Sequence, residues 1–339
     1  MSTQRYLDLL AQFSSRRIGV VGDFLLDQYI LGTSARVSRE APIVVVDYLD
    51  TVYHPGGAAN AAQNVTALGA GARAVGVLGD DREADALVRL LEARGVDVTR
   101  LMREASAATS TKLRIMAGEM NAQKQQVARV DRSHRLIATA ALNTRLREAV
   151  DEMVAASDAV LMADYGLGVL SGEIAAHVLA RCAAHHVPSV VDSRHRLREF
   201  RGATVATPNE VEAMEALGLR HEADLTDAHA LARRVDETGI RNLIVTRGSK
   251  GMVVCGADAA YAAIDIAGSN QATDVTGAGD TVSAVVALSL ACGATLEEAA
   301  RMATFAASVV VMKRGTATAS PEEVRDMVEG ERANKEARA

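Results

Sequence analysis

The chain has 339 residues, 49% of them hydrophobic and 24% charged, with a formal net charge of −6. This is an ordinary globular composition, long enough for one large domain or two modest ones. The acidic balance argues against a general nucleic-acid binder, which carries a basic excess. Three separated cysteines, Cys182, Cys255 and Cys292, form no Cys-x-x-Cys pair. They suggest neither a zinc site nor a disulfide framework, but reduced, buried thiols in a cytoplasmic protein.

In chain order, MSTQRYLDLLAQFSSRR reads as a short amphipathic helix. Polar and acidic residues interrupt its apolar run, unlike a signal peptide. Short β-rich runs then recur at 17–23, 72–80, 158–166, 187–193, 203–209 and 242–248. Amphipathic stretches at 82–94, 171–185 and 226–238 lie between them. Apolar strands alternating with helices predict a mostly parallel sheet covered on both faces, a three-layer α/β/α sandwich. The strands end in Asp23, Asp80, Asp164, Asp192, Asn209 and Thr246. In an open α/β sheet such ends line the ligand crevice, although any one of them could be a helix cap.

Two segments, 29–50 and 109–131, read as strands without a following helix. Partly alternating strands of this kind form small antiparallel sheets, so the two predict one β lid over the crevice. An apolar outer face on that lid suggests a homodimer. No linker divides the chain, which reads as one domain over 1–328 with a charged tail over 329–339 that frays. The apolar run from Val282 to Ala294 is too short to span a membrane.

Four motifs carry candidate chemistry. TDVTGAGDTVSA (273–284) predicts a helix starting near Gly277. Its N-terminus would offer unpaired N–H groups to an anion at Gly277, Ala278 and Gly279. Asp280, in the first turn, could take a proton from a hydroxyl attacking phosphorus; the plainer alternative is a favourable first-turn acid. HPGGAANAAQNVTALGA (54–70) places Gly56-Gly57 before a helix with Asn60 and Asn64 on one face, either a hydroxyl-binding site or a tight turn into a buried helix. TPNEVEAME (207–215) sets Asn209 and Glu212 three apart, as a holder of hydrated Mg2+ or as a helix cap. VTRGSKGMVV (245–254) reads as strand, turn, strand, either beside a nucleotide or as a plain hairpin. There is no GxxxxGK[ST] loop and no protein-kinase signature set. The histidines form no site.

PGGAANAA (55–62), TPNEVE (207–212) and DVTGAGDT (274–281), in that order, resemble the PfkB or ribokinase-like carbohydrate kinases over about 17–328. The resemblance implies a ribokinase-like sandwich and ATP-dependent phosphorylation of a sugar hydroxyl. Asp280 would be the general base, and the N–H groups of Gly277, Ala278 and Gly279 the anion hole. Asn209 and Glu212 would organise Mg2+ through water. Ser193, Thr246, Gly248 and Gly251 would lie along ATP. The sugar would meet Asp23, Asp27, Gly57 and Asn60, and Asp274 and Thr276 would belong to a monovalent-cation (K+) site.

Within this superfamily, VVGDFLLDQYILGTSARVSREAPIVVVD, TSTKLRI, MADYGLGVLS, FRGATVATPNE and KRGTATASP resemble the D-glycero-β-D-manno-heptose 7-phosphate kinases. That branch implies an anomeric hydroxyl as acceptor and a precursor of ADP-heptose for lipopolysaccharide. A phosphorylated sugar would need cations near the lid, for which Lys112, Arg114 and Arg129 are the candidates; the alternative is solvated strand charges. Two places depart from the branch: Asp192-Ser193-Arg194 stands where Asp-Pro-Lys is usual, and 117–126 (AGEMNAQKQQ) is longer. They leave room for another sugar, such as fructose, ribose or a sugar acid. A sensor without catalysis would be the reading from another class. No fused nucleotidyltransferase half is expected.

Overall fold

The computed structural model describes residues 2–37, 43–119, 124–256, 261–268 and 271–336. Its strands are β1 Arg17–Gly22, β2 Phe24–Val37, β3 Val44–Gly57, β4 Gly71–Gly79, β5 Val96–Glu104, β6 Thr111–Gly118, β7 Gln125–Arg132, β8 Ala159–Asp164, β9 Ser189–Ser193, β10 Val205–Ala206, β11 Asn242–Thr246, β12 Met252–Gly256 and β13 Tyr261–Ile264. Its α-helices are α1 Thr3–Gln12, α2 Ala58–Ala67, α3 Arg82–Glu92, α4 Ala140–Ala155, α5 Gly172–Ala184, α6 Glu210–Leu217, α7 Ala228–Thr238, α8 Ala278–Ala291, α9 Leu296–Val310 and α10 Pro321–Glu336.

Nine strands form one sheet in the order β13-β12-β11-β10-β9-β8-β1-β4-β5. It is parallel from β11 to β5 and antiparallel at the β12 and β13 edge. Side chains alternate across a strand, and both faces are apolar. Ile18, Val20 and Leu161 pack under α1, α2, α3, α8, α9 and α10. Val21, Val160 and Met162 pack under α4, α5, α6 and α7. The result is the expected three-layer sandwich. The strand expected at 203–209 shrinks to Val205–Ala206, because Pro208 has no N–H to extend a ladder. All three cysteines are buried and unbridged.

The two segments expected to form a small sheet do meet, in the order β3-β2-β6-β7. Their strands run beyond the expected bounds, and positions 38–42 and 120–123 lie outside the described residues. The sheet is mixed and not antiparallel: β2 pairs with β6 in parallel. The cause lies in the large sheet. β1, β4 and β5 all run one way. β2 continues from β1 and β6 follows β5, so both leave in the same direction. Ile43, Val44, Tyr48, Leu49, Val127 and Val130 expose their apolar side chains on this sheet and its margin.

The C-terminal segment also differs from expectation. α10 continues to Glu336 instead of fraying after Val328. An ion pair between Arg301 of α9 and Glu331 supports that continuation. No described helix is long and apolar enough to cross a membrane.

Candidate active site

Asp280 lies in the first turn of α8 and is 6% exposed. α8 starts at Gly277, whose φ of 80° suits glycine; a Cβ there would lie 2.6 Å from Asn60 Nδ2. The tight start lets α8 approach α2. Asn60 Nδ2 donates to Asp280 Oδ2 at 2.6 Å. Gln63 Nε2 donates to Asn60 Oδ1 at 2.6 Å, and Thr281 Oγ1 to Asn64 Oδ1 at 2.9 Å. The second oxygen of Asp280 accepts the hydroxyl of Tyr165 at 2.5 Å. Burial pushes the Asp280 carboxyl above the usual carboxylate range, against these hydrogen bonds and the charges of Lys112 and Arg194. A raised pKa suits a carboxylate that must accept a proton.

Asp280 opens into a cavity of about 910 Å³. Gly277, Ala278 and Gly279 line it. The three N–H groups are not equivalent. Ala278 donates to Val275 O at 3.2 Å, whereas Gly277 and Gly279 have no acceptor among the described residues.

Thr246, Gly248, Gly251, Asn209, Glu212 and Thr276 also line the cavity. Asn209 and Glu212 form a reciprocal cap on α6: Glu212 N–H donates to Asn209 Oδ1 at 2.9 Å and Asn209 N–H to Glu212 Oε2 at 2.8 Å. The plainer alternative is thus realised, while both side chains still face the cavity. Among the described residues no three His, Cys, Asp or Glu side chains could hold a metal ion together. Asp274 does not line the cavity. Burial raises its carboxyl, but amide donors from Gly315 and Thr276, both at 2.9 Å, outweigh that and hold it low.

The second sheet supplies Lys112, Arg114 and Arg129 to the cavity. Arg114 pairs with Asp27 at 3.0 Å and Arg129 with Asp131 at 2.9 Å. Lys112 Nζ lies 4.9 Å from the centre of the Tyr165 ring. Burial, and then the charge of Arg194, lower the pKa of Lys112.

Several residues expected at the sugar or the nucleotide do not line the cavity. Asp23 is 2% exposed, and its carboxylate accepts N–H groups of Tyr165, Leu167 and Val169 at 2.9, 2.9 and 3.2 Å. It fastens the 165–169 loop. Asp27 is engaged by Arg114 and Asn60 by Asp280. Gly57 is the turn into α2, where a Cβ would lie 2.7 Å from Asp23 O. Ser193 turns away from the cavity to donate to Asp164 Oδ2 at 2.7 Å. Its neighbours Asp192 and Arg194 line the cavity instead, as the two-residue period of a strand requires. Asp80 faces solvent.

Tyr165, Asp192 and Arg194 complete the site. The sequence held Asp192 as a strand end and Arg194 as a departure, but no signal singled out Tyr165. Burial drives the Asp192 carboxyl well above its usual range, reinforced by the negative charges of Asp280 and Glu212. The Arg194 guanidinium lies 4.7 Å from the Tyr165 ring centre.

Comparisons with known proteins bear on the fold and the family. The chain is 37% identical to the Bifunctional protein HldE of Azorhizobium caulinodans over 95% of its own length and 66% of that protein. It is 35% identical to the protein of the same name from Trichlorobacter lovleyi over 93% and 63%. The chain thus spans just under two thirds of these relatives. Among solved structures, Arabidopsis thaliana ribokinase complexed with ribose and ATP superposes with a TM-score of 0.71 at 20% identity, over 93% of this chain and 99% of that one. Phosphofructokinase-2 from Escherichia coli in complex with potassium gives 0.75 at 19%, over 93% and 98%. At such identities these two show the shared fold alone. The model of the pfkB family carbohydrate kinases matches residues 18–323, and the chain belongs to that family.

Proposed function

We propose that the chain transfers the γ-phosphoryl of ATP to a sugar hydroxyl, with Asp280 as general base. The carrying observation is the Asp280 carboxylate, buried at the start of α8 beside the open amides of Gly277 and Gly279. The hydroxyl would lose its proton to Asp280 while its oxygen attacks phosphorus in line, and the bond to ADP breaks. The two amides and the N-terminal dipole of α8 would stabilise the charge on the transferred group. Thr246, Gly248 and Gly251 would flank the nucleotide.

Mg2+, when bound, would neutralise phosphate charge. Asn209, Glu212 and Asp192 line the cavity, and Asn209 and Glu212 already cap α6, so they would hold it through water. The Asp274 carboxylate accepts one amide on each oxygen and keeps free lone pairs, with which it would hold K+.

For the acceptor we propose D-glycero-β-D-manno-heptose 7-phosphate, phosphorylated at the anomeric oxygen in the route to ADP-heptose and lipopolysaccharide. The motif resemblance supports this, and so does the cationic wall of Lys112, Arg114, Arg129 and Arg194. The second sheet would act as a lid. The apolar side chains of β3 and β7 would pair two copies, in the cytoplasm where ATP is held. An ADP-release assay over free and phosphorylated sugars tests the acceptor. Turnover confined to the heptose 7-phosphate supports it. Turnover on a free sugar removes it while keeping the kinase, and favours a pocket remade by Arg194.

A further inference from the structure

The hydroxyl of Tyr165 stands where an acceptor hydroxyl must stand. A sugar hydroxyl about to lose its proton donates a hydrogen bond to the base. Tyr165 makes that bond to Asp280 Oδ1 at 2.5 Å, while Asn60 holds the other oxygen at 2.6 Å. The ring is placed by its own chain, because the Tyr165 N–H is fastened to Asp23. Lys112 and Arg194 lie over it at 4.9 and 4.7 Å.

We infer that Tyr165 gates the base: its hydroxyl occupies the acceptor's place on Asp280 until a sugar displaces it. The inference rests on Asp280 being the base. Water is the competing acceptor in any kinase cavity, and a bare carboxylate beside bound ATP would activate it. The phenol blocks that position without replacing the sugar. Burial and the Asp280 charge raise its pKa, so it stays protonated as a donor.

The two cations explain how a sugar could open the gate. The other arginines in the cavity wall, Arg114, Arg129 and Arg247, each hold a carboxylate. Among the described residues Lys112 and Arg194 form no such ion pair; they lie over the Tyr165 ring, and their charges reach Asp280 only at longer range. A dianionic phosphate on the acceptor attracts both more strongly than a ring does. Its arrival would draw them off Tyr165 and loosen the ring as the sugar hydroxyl reaches Asp280. Tyr165 is thus a positioning residue that links recognition of the phosphate to exposure of the base.

The test uses ATP and Mg2+ with no sugar, so it does not depend on the acceptor. Tyr165→Phe keeps the ring and removes the hydroxyl. Acceptor-free ATP hydrolysis should rise about tenfold, the scale of one hydrogen bond to a charged group. Adding Asp280→Asn should abolish the rise. A Tyr165→Phe protein that binds ATP but hydrolyses it no faster than wild type overturns the gate. A rise that survives Asp280→Asn overturns Asp280 as the base, and the gate falls with it. A second reading needs no variant. The chain has six tyrosines and no tryptophan, so tyrosine emission is visible, and a phenol bonded to a carboxylate is quenched. Heptose 7-phosphate should raise emission in wild type. Unchanged emission with a sugar that is turned over would equally overturn the gate.

Discussion

On the α8 side of the cavity, Asp280, Asn60, Gln63, Asn64 and Thr281 answer one another through hydrogen bonds of 2.6 to 2.9 Å. Lys112 of the second sheet and Arg194 at the end of β9, by contrast, lie over an aromatic ring without a carboxylate ion pair among the described residues. The first wall is finished before any ligand arrives, which keeps the base in place without reorganisation at the moment of reaction. The second wall holds charge in reserve for an anion. Under the proposed function a fixed base and uncommitted cations would divide the work: one wall would govern the chemical step, and the other which molecule reaches it.

The sharpest break in that division is Asp280→Asn. It keeps shape and ATP binding but should lower kcat at least about 100-fold, measured with saturating sugar and ATP. Near-normal turnover would refute the mechanism. Next comes Lys112→Ala on the other wall. It should raise KM for the phosphorylated sugar about tenfold with little change for ATP. Equal changes in both would place Lys112 outside acceptor recognition. Gly277→Ala tests how finished the α8 wall is. Its methyl would meet Asn60 Nδ2, on a backbone with φ of 80°. A loss of about 1–2 kcal/mol in unfolding free energy is expected, and an unchanged denaturant midpoint would mean that α8 relaxes freely.

The smallest effect concerns Asp192, whose carboxyl is raised in the folded state. Below the ordinary carboxylate pKa it is protonated whether folded or not, and costs nothing. As pH rises toward the folded-state value, the unfolded chain ionises first and stability falls; above that value the loss is constant. Asp192→Asn should therefore raise Tm by about 2 °C at neutral pH, and the gain should vanish in acid. A gain independent of pH would assign it to packing instead.

Much of this was legible in the chain. The parallel core followed from apolar runs alternating with helices, and the place of Asp280 in a first helical turn from GAGD. Other features depended on contacts between distant segments. Tyr165 meets Asp280 across 115 positions of sequence, and nothing local marks it. Asp23 and Asn60 have the chemistry of ligand contacts, yet their polar atoms are taken by the 165–169 loop and by Asp280. Ser193 was misplaced for a simpler reason: one step along a strand changes the face, and the cavity belongs to Asp192 and Arg194. The parallel seam between β2 and β6 needed the direction of β1 and β5, which no local pattern contains.

Asp23 has a mechanical consequence. It is the single residue between β1 and β2, and its carboxylate grips three amides of the neighbouring loop. The long arm formed by β2 and β3 is therefore built in at its root like a cantilever. Bending at the root would break three bonds at once. Farther out the pairing with β3 slips at Leu31/Gly32 and between Thr33 and Arg36, but β6 holds the other edge of β2 in unbroken register from Leu26 to Thr33. The root is thus clamped by the loop, and the stretch beyond it by β6.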